Sequence, residues 1–311
     1  MKKTAKIRIG TRASKLALAQ SEEVKRRLLA AYPDMVAEQF EIVPMTTTGD
    51  AIQDKTLSDI GGKGLFTKEI EDALLAHKVD IAVHSMKDMP TILPDGLIIP
   101  CLLEREDPRD AFISNAAVGV DGLPLYAIVG TSSLRRGAQI KAYRPDLEII
   151  PFRGNVQTRL RKLSEGVCDA TLLAVAGLNR LGMGDMVTCP LPTDVCLPAV
   201  AQGAIGVECH QDREDIREML SKIHHPDTML CVSAERSLLK TLDGSCRTPI
   251  GGLATLQGKN LLLEGMVAKP NGKIIHRRSV NCKATLESAE RAGHKLGNIL
   301  LEMAGENFLV H

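Results

Sequence analysis

The sequence predicts a mixed α/β protein with two successive βα-rich halves and a smaller α+β unit at its C-terminal end. Strand-like and helix-like segments alternate from residue 6 onward, and a second alternating set begins near residue 110. After Asp212 the pattern changes to two helices, three consecutive strands and a last helix. Because 311 residues exceed a typical single core, we expect two or three domains.

The first half begins with a short apolar strand from Lys6 to Gly10, and Ser14 is the expected N-cap of the helix that follows. Leu16, Val24 and Leu28 recur at helical spacing along that helix. The same alternation then predicts a strand at 40–45, a helix around 66–74 and a strand at 80–83. This order is typical of βα units.

The second half repeats the alternation. Thr131-Ser132-Ser133 and Asn155 are expected to open helices, and strands are expected at 126–129, 147–150 and 171–175. In such sheets ligands bind outside the carboxyl ends of the strands. Arg12, Arg135 and Arg153 each follow a predicted strand, so we expect them at that edge.

The C-terminal unit is predicted to contain a three-stranded meander. Gly258-Lys259-Asn260 and Asn271-Gly272 are strong reversal signals between its strands. The predicted elements are helices at 213–223 and 228–242, strands at 253–256, 261–267 and 274–280, and a helix at 286–303. Cys246 falls on the loop between the second helix and the first strand.

Composition argues against several classes of protein. The formal net charge is only +1, aromatic residues make up 3 % of the chain and Trp is absent, which disfavours a nucleic-acid binder. No signal peptide or membrane span is apparent, so we expect a cytoplasmic protein. The eight cysteines have irregular spacing and His224-His225 has no partner at ligand spacing, so neither a disulfide framework nor a metal site is indicated.

Two features point to chemistry. Cys246, in Leu-Asp-Gly-Ser-Cys-Arg-Thr-Pro, has the exposed and electropositive setting of an attachment point or a nucleophile. Basic residues beside small or hydroxyl residues indicate binding of carboxylates or phosphates; they are Arg12, Lys87, Arg135, Arg136, Arg153, Arg159 and Arg180. Taken singly, Cys246 would more often be an ordinary thiol, and pairs such as Arg135-Arg136 an exposed helix face.

The ordered set of motifs resembles the porphobilinogen deaminase family, also called hydroxymethylbilane synthases, over nearly the whole chain. The motifs are Ile9-Gly10-Thr11-Arg12-Ala13-Ser14-Lys15-Leu16-Ala17, Gly62-Lys63-Gly64-Leu65-Phe66, His84-Ser85-Met86-Lys87-Asp88-Met89-Pro90, Arg105-Glu106-Asp107-Pro108-Arg109-Asp110, Gly130-Thr131-Ser132-Ser133-Leu134-Arg135-Arg136, Arg153-Gly154-Asn155-Val156-Gln157-Thr158-Arg159, Pro198-Ala199-Val200-Ala201-Gln202-Gly203 and the Cys246 loop. Any one of them is weak, but the ordered set is highly specific. Ser245 stands where many members carry glycine.

The resemblance implies three domains. The first two would be α/β lobes resembling a type II periplasmic binding protein, at 1–103 with 204–221 and at 109–197, and the third an α+β domain at 226–311. It implies a transferase that condenses four porphobilinogen molecules head to tail, releasing ammonia, into hydroxymethylbilane. The expected cofactor is dipyrromethane, attached to Cys246 by a thioether.

The resemblance also implies roles for individual residues. Asp88 would be catalytic, and Phe66 would stack over a pyrrole ring. The residues expected to bind the carboxylates of cofactor and substrate are Arg12, Ser14, Gln20, Lys63, Ser85, Lys87, Thr131, Ser132, Ser133, Arg135, Arg136, Arg153, Gly154, Asn155, Arg159, Arg180 and Gln202. No metal is expected, and Arg161 is not selected.

Three other classes remain open at this point. Two βα lobes without chemistry would suit a protein that binds a small dicarboxylate or phosphate, and Cys246 with a nearby histidine would suit a cysteine-dependent hydrolase. A nucleic-acid binder would show strongly salt-dependent retention on DNA. Under the family resemblance we expect a monomer that takes porphobilinogen, binds neither nucleic acid nor membrane, and passes its product to uroporphyrinogen III synthase.

Overall fold

Three β-sheets organise the described part of the chain. The computed structural model describes residues 6–51, 67–242, 249–305 and 308. The strands are β1 (Ile7–Arg12), β2 (Phe40–Met45), β3 (Ile81–Ser85), β4 (Leu97–Leu102), β5 (Asp110–Ser114), β6 (Ile128–Gly130), β7 (Glu148–Ile150), β8 (Ala170–Ala174), β9 (Cys189–Pro190), β10 (Ile205–His210), β11 (Ile250–Gln257), β12 (Asn260–Ala268) and β13 (Ile275–Lys283). The helices are α1 (Lys15–Ala31), α2 (Thr48–Ala51), α3 (Lys68–Leu75), α4 (Leu134–Tyr143), α5 (Val156–Ser164), α6 (Val175–Arg180), α7 (Glu214–Ser221), α8 (Pro226–Thr241) and α9 (Leu286–Ala304).

The first sheet has the strand order β2-β1-β3-β10-β4. β1 is parallel to β2 and β3, whereas β10 is antiparallel to β3 and β4. Helix α1 packs Val24 and Leu28 against this sheet, where they are buried with Ile9, Ile81 and Ile205. Because β1 and β3 are adjacent and parallel, their carboxyl ends lie at the same edge of the sheet.

The second sheet repeats this arrangement with the order β7-β6-β8-β5-β9. β6 is parallel to β7 and β8, and β5 is antiparallel to β8 and β9. Phe112, Ile140, Leu147 and Leu172 are fully buried in its core. In each sheet one strand, β1 or β6, is parallel to both of its neighbours. The two remaining strands join the sheet through antiparallel pairing. The prediction of two similar βα-rich lobes is therefore confirmed.

The third sheet is the predicted antiparallel meander, β11-β12-β13. A two-residue loop joins β11 to β12, and its Gly258 has φ +63°, a conformation that hairpin loops of this length favour. Helices α8 and α9 cover the sheet with Leu238 and Leu296, which are fully buried beside Leu263. The expectation of a C-terminal α+β unit is confirmed.

The chain divides into two compact units. The first contains the described residues up to Glu106 together with Ala204–Met229, and the second contains Asp107–Gly203 and the described residues from Leu230 onward. The second lobe and the C-terminal sheet thus lie in one unit, and the three domain ranges taken from the sequence stay a prediction.

Four strands were missed in the sequence, namely β4, β5, β9 and β10. β4 contains Pro100 and lacks clear alternation, and β10 follows a turn-rich stretch with glycine at 203 and 206. Both find their partners far away along the chain, so their pairing depends on tertiary structure. Among the described residues, no helix combines the length and the apolar character needed to cross a membrane.

Candidate functional site

The first unit contains a small cavity at the carboxyl ends of β1 and β3. β1 ends at Arg12, and β3 runs directly into a 3₁₀ turn, Met86–Asp88. The cavity measures about 70 Å³. Six residues selected from the sequence line it: Arg12, Ser14, Gln20, Ser85, Lys87 and Asp88. The structure therefore brings these predicted site residues together, although they span more than seventy positions in the chain.

Arg12 and Asp88 form an ion pair in this cavity. Nη1 of Arg12 lies 3.9 Å from Oδ2 of Asp88, and the two side chains are 25 % and 32 % exposed. A partly exposed pair at this distance contributes little to stability. With Lys87 on the same turn, the cavity holds one carboxylate and two cations, a combination suited to an anionic ligand that develops positive charge.

Polar side chains of α1 complete the cavity wall. Gln20 is buried and hydrogen-bonds to the hydroxyl of Ser85 at 2.8 Å, which links α1 to the end of β3. Ser14 is the N-cap of α1, as predicted, because its Oγ accepts a hydrogen bond from the backbone N–H of Ala17 at 3.3 Å. These contacts fix the wall on which Arg12 and Asp88 meet.

The turn that carries Lys87 and Asp88 is anchored to β10. The backbone N–H of Met86 donates to the carbonyl of Ala204 at 3.0 Å. The Met86 side chain is buried directly over Gly206, where a Cβ would collide with Met86 Sδ. A residue without a side chain is therefore required at position 206 for the turn to keep its place.

The second unit brings together hydroxyl groups in the loop after β6. Ser133 is the N-cap of α4, as predicted, and accepts a hydrogen bond from the N–H of Arg136 at 3.4 Å. Thr131 Oγ1 accepts from the N–H of Ser133, and Ser132 Oγ accepts from the N–H of Phe152 at 2.9 Å. The three hydroxyls thus already shape the loop between β6 and α4.

Arg135 and Arg136 do not form an exposed helix face. Both are buried, and both contact the carboxylate of Asp110, which is itself completely buried. Burial by itself raises the pKa of a carboxyl, but the charges and hydrogen bonds of the two guanidinium groups outweigh it and hold the pKa of Asp110 well below its usual value. The default interpretation of a solvated charge run is therefore wrong at this position.

Arg153, Gly154, Asn155 and Arg159 lie together around the start of α5. Asn155 is its N-cap, as predicted, and accepts from the N–H of Thr158 at 2.9 Å. Gly154 has φ +122°, and its carbonyl accepts from Nε of Arg159 at 2.8 Å. Burial and the positive charges of Arg136 and Arg153 lower the pKa of Arg159 to about 10. These three arginines repel one another, so an anionic group placed among them would be stabilised.

Gln202 and Arg180 contact the turn that contains the Pro198-Ala199-Val200-Ala201-Gln202-Gly203 motif. Nε2 of Gln202 donates to Oδ1 of Asp110 at 2.9 Å and to the carbonyl of Pro108 at 2.8 Å. Nη2 of Arg180 donates to the carbonyl of Gly203 at 2.8 Å. Gln202 therefore belongs to the Asp110 cluster.

Lys63, Phe66 and Cys246 lie outside the described residues, as do Gly62, Gly64 and Ser245. Among the residues described, no group of three or more histidine, cysteine or acidic side chains could hold a metal ion. Five described cysteines are buried and two are partly buried, which is usual for cysteines that pack as small apolar side chains.

Sequence reasoning missed Asp110, His84 and Glu208 as candidates. Asp110 and His84 appear within quoted motifs, but nothing marked them as different from their neighbours. Glu208 follows Gly206-Val207 in the unpredicted strand β10, and its buried hydrogen bond with His84 could not be inferred without that strand. A charged residue inside an apolar run was the only available signal.

Comparison with known protein families identifies the family to which this chain belongs. The family model described as "Porphobilinogen deaminase, dipyromethane cofactor binding domain" matches residues 7–218. The chain belongs to the porphobilinogen deaminase family. A second model, "Porphobilinogen deaminase, C-terminal domain", matches residues 229–302.

Individual relatives support the assignment to the porphobilinogen deaminase family. "Porphobilinogen deaminase" of Paracoccus denitrificans (strain Pd 1222) is 58 % identical over 266 residues, covering 86 % of this chain and 85 % of the relative. "Porphobilinogen deaminase, chloroplastic" of Pisum sativum is 52 % identical over 309 residues, covering 98 % of this chain and 84 % of the relative. Among solved structures, a periplasmic substrate-binding protein from Coxiella burnetii is 12 % identical with a TM-score of 0.42, covering 72 % of this chain and 94 % of that chain.

Porphobilinogen deaminases polymerise porphobilinogen into hydroxymethylbilane in tetrapyrrole biosynthesis, and that is the activity of this chain. Its cofactor is dipyrromethane. The described residues fit such a group. The acetate and propionate groups of a polypyrrole are bound by cationic side chains, and their binding requires no metal ion. The mutual repulsion of Arg136, Arg153 and Arg159 is the observation that supports this fit.

Proposed function

We propose that Asp88 is the catalytic carboxylate of the porphobilinogen polymerisation and that Arg12 and Lys87 bind substrate carboxylate groups beside it. The observation that carries this proposal is the cavity at the ends of β1 and β3, in which these three side chains converge and Arg12 lies 3.9 Å from Asp88. The cavity combines two cations for the acetate and propionate groups with one fixed negative charge.

The reaction explains why one carboxylate belongs among cations. When the aminomethyl C–N bond of porphobilinogen breaks, ammonia leaves with the electron pair and the ring becomes an electron-poor azafulvenium. A carboxylate held beside the pyrrole N–H stabilises that positive charge as it develops. The electrophilic carbon then bonds to an α-carbon of the acceptor ring, which loses a proton, and Asp88 is suited to assist that transfer.

The basic residues of the second unit are proposed to bind further carboxylates. Arg153 and Arg159, with the amide of Asn155 and the backbone of Gly154, form one group, and Arg135 and Arg136 with the hydroxyls of residues 131–133 form another. Gln202 and Arg180 lie at the turn beside Asp110. Guanidinium groups suit this task because they bind carboxylates in a bidentate manner.

Cys246 is proposed to carry dipyrromethane through a thioether, with Lys63 binding a carboxylate group and Phe66 stacking over a pyrrole ring. When bound, dipyrromethane supplies the ring position to which the first porphobilinogen is joined. This makes Cys246 an anchor that is not regenerated in each turnover. The chain is further proposed to act as a cytoplasmic monomer that delivers hydroxymethylbilane to uroporphyrinogen III synthase.

The decisive experiment is the substitution Asp88→Asn, which keeps hydrogen-bonding capacity and removes the charge. We expect kcat for porphobilinogen consumption to fall at least about 100-fold while the free energy of unfolding stays close to that of the parent protein. Asp95→Asn, an exposed carboxylate in the same unit, is the matched control and should leave kcat unchanged. A folded Asp88→Asn variant with undiminished kcat would overturn the role of Asp88.

A further inference from the structure

A buried carboxyl group joins three segments of the second unit. Glu235 lies on α8 and is fully buried. Its Oε2 accepts a hydrogen bond from the backbone N–H of Ala201 at 2.6 Å, and its Oε1 accepts one from the N–H of Ala254 on β11 at 2.8 Å. The side chain therefore ties α8 to β11, and it ties both of them to the turn that contains Gln202.

Helix α8 and strand β11 flank the segment of the chain that carries Cys246. α8 ends at Thr241 and β11 begins at Ile250, so Cys246 belongs to the connection between them. A hydrogen bond from α8 to β11 fixes the two ends of that connection relative to each other. Glu235 is thus placed to determine where the Cys246 segment starts and where it ends.

The turn contacted by α8 leads to two arginines that are proposed to bind carboxylates. Gln202 follows Ala201 directly and donates a hydrogen bond to the buried carboxylate of Asp110 at 2.9 Å. The same carboxylate accepts hydrogen bonds from Arg135 and Arg136. A continuous series of hydrogen bonds and one covalent link therefore runs from α8 to both guanidinium groups.

The backbone of this turn has an uncommon conformation. Ala201 is completely buried and has φ +59°, in the left-handed region that residues other than glycine rarely adopt. Such a conformation persists only where surrounding contacts fix it. One of these contacts is the hydrogen bond to Glu235, and another joins the N–H of Gly252 to the carbonyl of Pro198 at 2.9 Å. Backbone strain that is maintained in this way is typical of positions where placement serves function.

The two contacts of Glu235 suit a carboxylate better than an amide. A carboxylate offers two acceptor oxygens, whereas the amide of glutamine offers one oxygen and an NH2 group that would oppose a second N–H. Ala201 and Ala254 are both buried, and a buried N–H without an acceptor is costly. Glutamate therefore satisfies both N–H groups at once, and glutamine cannot.

We propose that Glu235 is a positioning residue that holds the Cys246 segment in register with Arg135 and Arg136, so that carboxylate groups of a dipyrromethane attached there meet these arginines. A chain of pyrrole rings attached at one end is bound in a single arrangement only if that end keeps its distance from the groups that bind its carboxylates. This inference rests on the proposed attachment at Cys246 and on the proposed binding role of the two arginines.

The kinetics of Glu235→Gln separate positioning from simple packing. We expect kcat, normalised by intact mass to the fraction of enzyme that carries the cofactor, to fall about 10-fold or more, because a displacement of about 1 Å in a bound reactant can cost as much as 100-fold in rate. KM for porphobilinogen should change less than about twofold, since Arg12 and Lys87 in the first unit are untouched. A role in packing alone predicts lower thermal stability and an unchanged normalised kcat.

Amide hydrogen exchange gives a readout that does not depend on activity. The N–H of Gln202 donates to the carbonyl of Ala199 within the turn at 3.0 Å. Loss of a contact from Glu235 should loosen this turn and speed exchange at Gln202 about 10-fold or more under conditions in which the variant is folded. Exchange at the rate of the parent protein would overturn the inference.

Glu264→Gln is the matched control. Glu264 on β12 accepts a hydrogen bond from Nη2 of Arg277 at 2.9 Å, and Nη1 of Arg277 donates to the carbonyls of Thr193 and Asp194. This is a second link between the C-terminal sheet and the preceding lobe, but none of these hydrogen bonds reaches the turn at 198–203. The control should therefore keep the parent kcat and the parent exchange rate in that turn. A control that reproduces both defects would overturn the inference.

Two further variants complete the test. Glu235→Asp keeps both acceptor oxygens on a side chain that is one methylene shorter, and it decides the question if Glu235→Gln does not fold: it should also lower kcat with little change in KM, and an undiminished kcat would overturn the inference. Cys246→Ser separates the two levels of the argument. Retention of the cofactor mass in Cys246→Ser would contradict the proposed function, whereas its loss, with normal kcat and exchange in Glu235→Gln, would contradict only this inference.

Discussion

The carboxylate of Asp110, which is completely buried, accepts a hydrogen bond from Nη1 of Arg135 at 2.7 Å. Its other oxygen accepts from Nε and Nη2 of Arg136 at 2.9 and 2.7 Å. One carboxylate thus holds two adjacent guanidinium groups whose positive charge exceeds its own. Gln202 adds a further hydrogen bond to this carboxylate, so the two arginines are held in a single arrangement before any ligand binds.

Asp110→Asn should therefore destabilise the fold strongly. The substitution leaves two buried guanidinium groups without a counter-charge, and removal of one partner from a buried ion pair typically costs about 3–5 kcal/mol. The free energy of unfolding, measured with urea, checks this value. Asp185→Asn, at an exposed position in the same unit, should change it by less than about 0.5 kcal/mol. Equal stabilities of the two variants would contradict the structural role of Asp110.

The same carboxylate predicts a pH dependence. The pKa of Asp110 is lowered in the folded state, so its contribution to stability is complete above the unfolded value of about 4. As the pH falls below that value, the unfolded chain takes up the proton first and the contribution is lost. The free energy of unfolding of the parent should therefore fall more steeply with acidification than that of Asp110→Asn. Parallel slopes would show that Asp110 is not the titrating group.

Arg159→Gln should weaken substrate binding without weakening the fold. The pKa of Arg159 is lowered to about 10 by burial and by Arg136 and Arg153, so its charge is not compensated in the described structure. Loss of one charge-assisted hydrogen bond to a carboxylate should raise KM for porphobilinogen roughly 10-fold or more. Arg161→Gln is the control. The Arg161 side chain is 68 % exposed, and its Nε lies 3.8 Å from Oε1 of Glu165, which partly compensates its charge. An equal KM for both variants would remove Arg159 from the binding residues.

Cys246→Ser should prevent attachment of the cofactor. The intact mass of the purified parent should exceed the chain mass by two porphobilinogen units less two ammonia molecules, since the C–S bond to the first ring and the C–C bond to the second ring each form with loss of one ammonia. Cys246→Ser should show the bare chain mass. Cys282→Ser, at a partly buried cysteine of β13, should retain the full gain. The same gain in Cys246→Ser would assign the attachment to another residue.

Gly206→Ala should displace the turn that carries Asp88. A methyl group at this position collides with Met86 and lies close to Ile99, so we expect a destabilisation of about 1–3 kcal/mol and a reduced kcat. Gly119→Ala is the control, because Gly119 has an extended φ of −170° and, among the described residues, the nearest atom to its added Cβ is Cys189 Sγ at 4.0 Å. Thermal unfolding and kcat measured on both variants check the prediction. It is wrong if Gly206→Ala behaves like the control.

Local signals explain which elements could be predicted. Ser14, Ser133 and Asn155 were identified as N-caps because their role depends on an N–H only three residues away. The strand at Phe40–Met45 has the predicted bounds, and the meander followed from its turn residues. Strands β4 and β10 could not be predicted, because each becomes a strand only through hydrogen bonds to partners distant in the chain.

The sequence by itself determined the family, the activity and the selection of Arg12, Lys87 and Asp88, because these depend on residue types in a specific order. Only the tertiary structure decided that Arg135 and Arg136 are buried against Asp110 and that His84 faces Glu208. Asp110 lies 25 positions from Arg135, and Glu208 lies 124 positions from His84. The electrostatic state of a buried charge depends on its neighbours in space, and the folding of β5 against β8 and of β3 against β10 supplies those neighbours.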